Sequence, residues 1–359
     1  MNECISVLVG GRSTEHDASL LSYQGVLSDL QKRHDHHLTL TSVYYISREG
    51  QIYYQHQAPF PVDEEELKKG SLIRLGEFID RLQDKDIFHL NLLHGNEGED
   101  GAWQGLAEIS NLRGTFGSVF ASTITMNKWA QSILATSCIS RLQHPRMYRI
   151  TEFDTEKTIE RIISEISWDE CVVKPNRMGA SHLTELYKGL TKESLLSLYR
   201  KLSRYDPEVL VQEYIAGTEY TVGCIERYGE VITLPVIEAK TSRQFLGHME
   251  KHQKGYIETH IHHVDSERTA ELKEISQKLF RQFDLSVMCR FDFIVSGSGV
   301  PYYLEANSIP GLMSGSAFPK MLAAASLDLV DLIQWSIETT NPRVRREKVL
   351  CYNIEHSEK

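Results

Sequence analysis

The 359-residue sequence contains no apolar run approaching the roughly 18 to 20 residues that span a bilayer, so no transmembrane helix is expected. Its six cysteines, Cys4, Cys138, Cys171, Cys224, Cys289 and Cys351, lie far apart without a C-x-x-C pair. That spacing argues against a disulfide framework or a zinc ribbon and fits reduced, mostly buried thiols. A basic excess is missing as well. The formal net charge is −10, which speaks against a nucleic-acid partner, because neutralising phosphates takes clustered Lys and Arg. The one short basic run, "RVRREK" near the C-terminus, reads as a solvated tail. The opening residues, "MNECISVLVGG", have no basic n-region and enter a strand at once, so a cytoplasmic location is expected rather than secretion. Neither G-x-G-x-x-G nor G-x-x-x-x-G-K-[ST] occurs, and any nucleotide must be held another way. Internal repeats and low-complexity segments are lacking. The clusters "HDHH" (34–37) and "HIHH" (260–263) have no matching Cys or His pair at zinc-finger spacing, so metal binding there is the lesser reading.

What is present is an ordinary globular composition, 41% hydrophobic and 25% charged, at a length that suits two or three domains. "ISVLVGG" reads as a buried strand followed by a glycine turn. "ASLLSYQGVLSDLQKRH" then carries Leu20, Leu21, Val26, Leu27 and Leu30 at near-helical spacing. "TLTSVYYISREGQIYY" gives a second strand and a hairpin, and "IFHLNLLHG" a further buried strand. Residues 1–125 therefore read as an α/β unit with an open, mostly parallel sheet, where ligands sit beyond the carboxyl ends of strands. From "TMNKWAQSILATSC" through "ECVVKPN" and "TKESLLSLYRKLSRY" to "VLVQEYIAG", short strands and helices alternate. This gives an α+β unit over 126–216. Residues 217–359 open on strands paired around "YGE" and pass through a polar, His-rich loop to a last hairpin.

That hairpin, "RFDFIVSGSGVPYYLEANSIPG" (290–311), places charge where strands usually place apolar side chains. Strand residues alternate between faces, so Arg290, Asp292 and Ile294 share one, and Tyr303, Glu305 and Asn307 project together from the return strand. If the polar sets face each other, Asp292, Glu305 and Asn307 supply hard oxygen donors suited to Mg2+, with Arg290 alongside. The ordinary alternative is a solvated face. Against it stands "NSIPG", a turn directly after the cluster that can present backbone amides to a substrate.

Three further segments carry chemistry. In "VLVGGRSTEHDASLLS", Gly10 and Gly11 form a strand-to-helix turn suited to anions, and Glu15 close by either grips a substrate ammonium or caps the helix. In "LLHGNEGEDGAWQG", His94, Glu97, Glu99 and Asp100 alternate with glycines after a buried strand, a composition typical of functional loops. Lys128 in "MNKW" and Lys174 in "VVKPN" stand beside apolar residues, and Lys174 is placed to meet phosphate.

Taken in order, "GGRSTEHDASLLS", "LHGNEGEDGAWQG", "MNK", "VVKPNRMGAS", "VLVQEYIAGTEYTV", "RFDF" and "LEANSIPGL" resemble the D-alanine:D-alanine ligase family of ATP-grasp enzymes over about residues 5–325, while the last thirty residues add nothing specific. The resemblance implies two α+β modules clasping ATP. It implies phosphorylation of one amino-acid carboxylate, and attack by the amine of a second to form a peptide bond for peptidoglycan. Carried over by motif, Lys128 and Lys174 would contact phosphates, Gln212, Glu213, Tyr214 and Ile215 would form the adenine hinge, and Glu219 would hold the ribose. Asp292, Glu305 and Asn307 would bind two Mg2+ ions, or Mn2+. Arg290 and the Gly311 amide would stabilise the oxyanion. Glu15 would hold the first ammonium and Ser316 the second substrate's carboxylate, with His94 and His252 also on the substrate side. A cytoplasmic homodimer is implied as well. Two positions depart from the family pattern: Ala180 in "GASHL" stands where a serine is usual, and His252 where a mobile loop usually carries tyrosine. These changes leave amino-acid selection open, with D-alanyl-D-lactate, D-alanyl-D-serine or another specialised dipeptide as alternative products. A non-catalytic nucleotide-binding relative is the remaining alternative.

Overall fold

The computed structural model describes residues 3–56, 62–153, 155–179, 183–241 and 257–346. Ala180, His252 and Cys351 lie outside the described residues. Among the described residues the strands form three sheets.

The opening apolar run forms β1 (Glu3–Gly10), buried over its last six residues. It pairs in parallel with β2 (Leu38–Ile46) and β5 (Ile87–Asn91), and β3 (Ile52–Gln55) and β4 (Ser71–Ile73) extend the sheet antiparallel in the order β4-β3-β2-β1-β5. Around it lie α1 (His16–Lys32), α2 (Glu64–Leu67), α3 (Leu75–Leu82) and α4 (Ala102–Ile109). The α1 stripe differs from the leucine pattern. Leu21 is exposed, and the buried face includes His16, Ser19, Ser22, Tyr23 and Gly25 beside Val26 and Leu27. Small residues are needed there because the segment after the last strand crosses α1 closely: a Cβ on Gly25 would stand 2.3 Å from the Leu312 carbonyl oxygen.

Helices α5 (Val119–Met126) and α6 (Lys128–Cys138) lead into the second sheet. There β6 (Met147–Ile150), β7 (Glu170–Pro175), β8 (Glu185–Lys188) and β9 (Val209–Glu213) pair antiparallel in the order β6-β9-β7-β8. Helices α7 (Thr155–Glu165) and α8 (Lys192–Leu202) share its core through Ile159, Ile162, Leu195 and Leu202.

The third sheet contains β10 (Gly217–Arg227), β11 (Glu230–Thr233), β12 (Val236–Thr241), β13 (Ile257–His262), β14 (Met288–Ser296) and β15 (Pro301–Asn307). Its order is β13-β12-β10-β14-β15, with β11 on β10. The stretch before the last hairpin, expected as a polar loop, instead holds β13 and the helix α9 (Glu267–Gln282). Leu272, Ile275, Leu279 and Phe280 form its buried stripe, and Ser266 caps it by accepting from the Thr269 amide. The charged outer face obscured that 3.6-residue period. Beyond β15 come α10 (Ala317–Ala324) and α11 (Leu329–Arg346). The basic run expected as a tail thus begins inside a helix, at Arg343–Arg346. Of the described cysteines, Cys171, Cys224 and Cys289 are buried, Cys138 is exposed, and all are free thiols.

Candidate active site

The register of β14 with β15 sets Arg290 opposite Asn307 and Asp292 opposite Glu305, so the four polar residues lie on one face as their alternation predicts. Tyr303 does not join them. The register slips between Asp292 and Phe293, where Leu304 is the extra residue of a bulge, so Tyr303 comes to lie opposite Phe293 and is fully buried. A bulge inserts one residue into the period-2 pattern and reverses the face of everything beyond it.

Asp292 is held from two sides. Thr221, opposite it on β10, donates from its hydroxyl at 2.8 Å, and Arg290 donates from Nη2 at 2.9 Å and Nε at 3.2 Å. Burial works against the Arg290 charge, but Asp292 and Glu305 outweigh it, and its pKa lies above the ordinary value. Glu305 pairs with Lys128 at 3.1 Å. Lys128 begins α6, and its ammonium also donates to the Met178 carbonyl at 2.6 Å, so one cation links β15 to the segment after β7. Asn307 accepts from the Ile309 amide at 3.1 Å and thereby shapes the turn that follows.

Glu15 comes from the first sheet's side of the molecule. It occupies the N-cap position of α1 but makes no side-chain capping bond. Its carboxylate lies against Gly179: a Cβ there would stand 2.4 Å from Oε1, so this close approach requires glycine. Burial raises its pKa, the Lys128 ammonium opposes that, and Glu305, the Gly179 backbone and Arg290 contribute further. Those charges belong to three separate parts of the chain.

The glycine-rich loop closes the same space. Arg12 pairs with Glu97, and Asp100 accepts from the Glu97 amide at 2.8 Å, so these two acids shape the loop. Glu99 turns inward, accepting from the Gly95 amide at 2.6 Å. Burial first and Glu15 second push its carboxyl up to about 8. His94 is buried, and that burial pushes it down to about 4. The Leu312 amide donates to Ser22 Oγ at 3.1 Å, and Ser22 Oγ lies 3.0 Å from His94 Nε2, tying the turn after β15 to α1 and the loop. Gly311 and Ser316 are neighbours, since a Cβ on Gly311 would stand 3.7 Å from Ser316 Oγ. Ser316 occupies the N-cap position of α10 without a side-chain capping bond.

On the other side, Lys174 stands on β7 opposite Leu210. Gln212 and Glu213 end β9, Tyr214 and Ile215 follow, and Glu219 lies at the start of β10 opposite Ile294. The short link between β9 and β10 thus joins the second sheet to the third. The Glu213 side chain is committed to Arg146 at 2.9 and 3.0 Å, and that pairing holds its carboxyl below the usual value. Thr221 and Ser22 make contacts that no motif announced. In the "HIHH" segment His262 contacts Glu238 at 2.8 Å. Among the described residues, no three or more His, Cys, Asp or Glu are grouped to hold a metal ion.

Comparison with known proteins agrees with this geometry. Residues 4–115 match the family described as D-ala D-ala ligase N-terminus, and residues 142–338 match D-ala D-ala ligase C-terminus. A D-alanine–D-alanine ligase of Flavobacterium johnsoniae is 27% identical over 335 residues, covering 93% of this chain and 98% of its own length. The solved D-alanine–D-alanine ligase of Coxiella burnetii superposes with a TM-score of 0.78 at 24% identity over 96% of each chain. The Bacillus anthracis D-alanine–D-alanine ligase complexed with ATP gives 0.68 at 22% identity, covering 96% of this chain and 99% of that one. These likenesses show the ATP-grasp fold. With both parts of the family matched in order along the chain, the protein belongs to the D-alanine–D-alanine ligase family.

Proposed function

We propose that the face formed by Arg290, Asp292, Glu305 and Asn307, with Lys128 and Glu15, is where this ATP-dependent ligase joins two small amino acids. The observation that carries the reading is the meeting of charges from distant segments: Lys128 reaches Glu305 and Met178, while Glu15 senses Lys128, Glu305 and Arg290. Division into three units near residues 125 and 216 is part of the proposal, and the three sheets, each drawn from one of those stretches, support it.

In the reaction a carboxylate oxygen of the first amino acid attacks the γ-phosphorus of ATP and ADP leaves. The amine of the second then attacks the acyl carbon, and phosphate departs with the peptide bond formed. Lys128 and Lys174 hold phosphate oxygens, Gln212 to Ile215 line the adenine, and Glu219 takes the ribose. Glu15 holds the first ammonium. Arg290 and the Gly311 amide receive the negative charge that develops on the attacked carbonyl oxygen. Ser316 and His94 lie on the second substrate's side.

The donor chemistry of the Asp292–Glu305–Asn307 face fits Mg2+, which binds through one or two carboxylates plus substrate phosphate. Bound there, the ion would neutralise charge on the transferring phosphoryl group. Glu305 would exchange part of its pairing with Lys128 for it. A cytoplasmic homodimer is the assembly and setting the family resemblance favours, and no described helix is long and apolar enough to cross a membrane.

Incubation with ATP, Mg2+ and D- and L-amino-acid pools, read by mass spectrometry, tests the activity and identifies both substrates. We expect amino-acid-dependent ADP and a dipeptide. In Glu305→Gln the rate should fall on the order of 100-fold, because a charged metal-binding oxygen is lost. Parent-like turnover by that variant would dismiss the metal assignment. ATP binding without turnover by the parent protein would point to the non-catalytic alternative.

A further inference from the structure

Gln131 lies one helical turn after Lys128 on α6 and has no exposed surface. Its Oε1 accepts two hydrogen bonds from β15, one from the Tyr303 hydroxyl at 2.5 Å and one from the Ala306 amide at 2.7 Å. Its Nε2 donates to the Thr125 carbonyl, at the end of α5, at 2.6 Å. Because β15 is an edge of its sheet, its outward backbone groups have no strand partner. The Gln143 backbone covers part of that edge, donating to the Pro301 carbonyl at 3.0 Å and accepting from the Tyr303 amide at 2.7 Å. Gln131 covers the Ala306 amide farther along the same edge.

Tyr303 and Ala306 bracket the bulge. Between them stand Leu304, the extra residue, and Glu305, which lies opposite Asp292 and whose carboxylate pairs with Lys128. One face of α6 therefore makes two adjacent contacts with the strand. Lys128 grips the Glu305 side chain, and Gln131 holds the residues on either side of it, through the Tyr303 hydroxyl and the Ala306 amide. We infer that Gln131 is a positioning residue for the ligase reaction: it locks the bulge so that Glu305 is held at a fixed height against Lys128. This rests on the proposed role of that face in binding metal and phosphate. A side chain that merely satisfied buried polar groups would contribute to stability alone. One that holds a metal-binding carboxylate in place also sets how readily the ion binds.

The test uses the full-length protein, following Mg2+-dependent ATP binding by isothermal titration calorimetry and, beside it, D-alanine-dependent ADP formation while Mg2+ is titrated, at a temperature where circular dichroism shows each variant folded. Gln131→Met keeps length and volume and removes all three bonds. Tyr303→Phe removes only the hydroxyl. Half-saturating Mg2+ should rise about ten-fold in Gln131→Met and by less, in the same direction, in Tyr303→Phe. A Mg2+ requirement equal to the parent's in both variants, whatever the fall in thermal midpoint, overturns the inference. Should Gln131→Met not fold, Tyr303→Phe decides on the same readout. Glu305→Gln separates the two levels. Parent-like Mg2+ dependence there overturns the metal reading and the inference with it, whereas an impaired Glu305→Gln beside two parent-like variants overturns the positioning role alone.

Discussion

Glu99 and His94 stand five residues apart in one loop, and burial moves them in opposite directions, each toward its neutral form. The Glu99 carboxyl rises from 4.5 to about 8, so the folded protein holds a proton there that the unfolded chain releases. Stability from this group is complete below pH 4.5 and is lost as pH rises through about 8. His94 falls from 6.5 to about 4, so its contribution is present above 6.5 and is lost as pH falls through about 4. The opposed effects overlap in mild acid, and above pH 6.5 Glu99 acts without that opposition from His94. We therefore expect stability to decline between pH 6.5 and 8, and Glu99→Gln, which copies the protonated shape, to flatten that decline. Denaturant midpoints across the window check it, and an equal slope in the variant would show that Glu99 is already ionised in the fold. Glu99 was visible in the sequence as one acid among several in a glycine-rich loop. Its protonation was not, because that follows from a burial created by segments far apart in the chain. Ser22 and Thr221 were hidden for a related reason: a lone hydroxyl in a helix or strand carries no pattern until its partner arrives.

Among the elements, the last hairpin was the most legible, since strict alternation announced a polar face at Arg290, Asp292, Glu305 and Asn307. The bulge was not, because it is a backbone event driven by pairing and by contacts on the outer edge of β15. Helix α9 was obscured by its charged outer face, although its Ser266 cap and leucine stripe obey ordinary rules. The contact between α1 and the turn after β15 yields a prediction at this scale. Alanine in a helix interior is ordinarily favoured over glycine by about 1 kcal/mol. At Gly25 that gain is opposed by a backbone oxygen, Leu312 O, 2.3 Å from the new methyl, and backbone cannot swing aside as a side chain can. Gly25→Ala should therefore push the 308–313 segment away from α1, weakening the Leu312–Ser22–His94 chain. The expected outcome is a lower thermal midpoint together with a raised KM for the second amino acid, and a KM for ATP that changes less. A variant more stable than the parent with unchanged kinetics would mean that the turn moves freely over the helix.

At the scale of the whole molecule, the division into three sheets does not coincide with the division of the core. One buried cluster contains Ile5, Val7, Val9, Val26, Phe88 and Leu90 from the first sheet and α1. It also contains Ile225, Ile237, Met288, Ile309, Leu312, Phe318, Leu329, Val330 and Ile333, from the third sheet and the final helices. Helix α11, whose sequence suggested nothing specific, packs against both α1 and β10. Arg33, at the end of α1, reinforces the join through Asp328 at 3.0 Å and Asp331 at 2.6 Å. The second sheet has a core of its own, drawn from residues 150–211. The first sheet thus depends on distant parts of the chain to cover one apolar face, and removing them would expose Val26, Leu90 and Leu92 together. At roughly 1.5–3 kcal/mol for each large aliphatic side chain returned to water, a few such residues match the entire 5–15 kcal/mol that separates a typical native domain from its unfolded chain. A fragment of residues 1–125 should therefore lack cooperative thermal unfolding and show poor amide dispersion by NMR, even though its strands and helices are locally well encoded. Adding residues 217–346 as a second fragment should restore folding, because it returns the missing face. A sharp, reversible melt of the first fragment alone would show that the shared core is dispensable and that the N-terminal unit is autonomous.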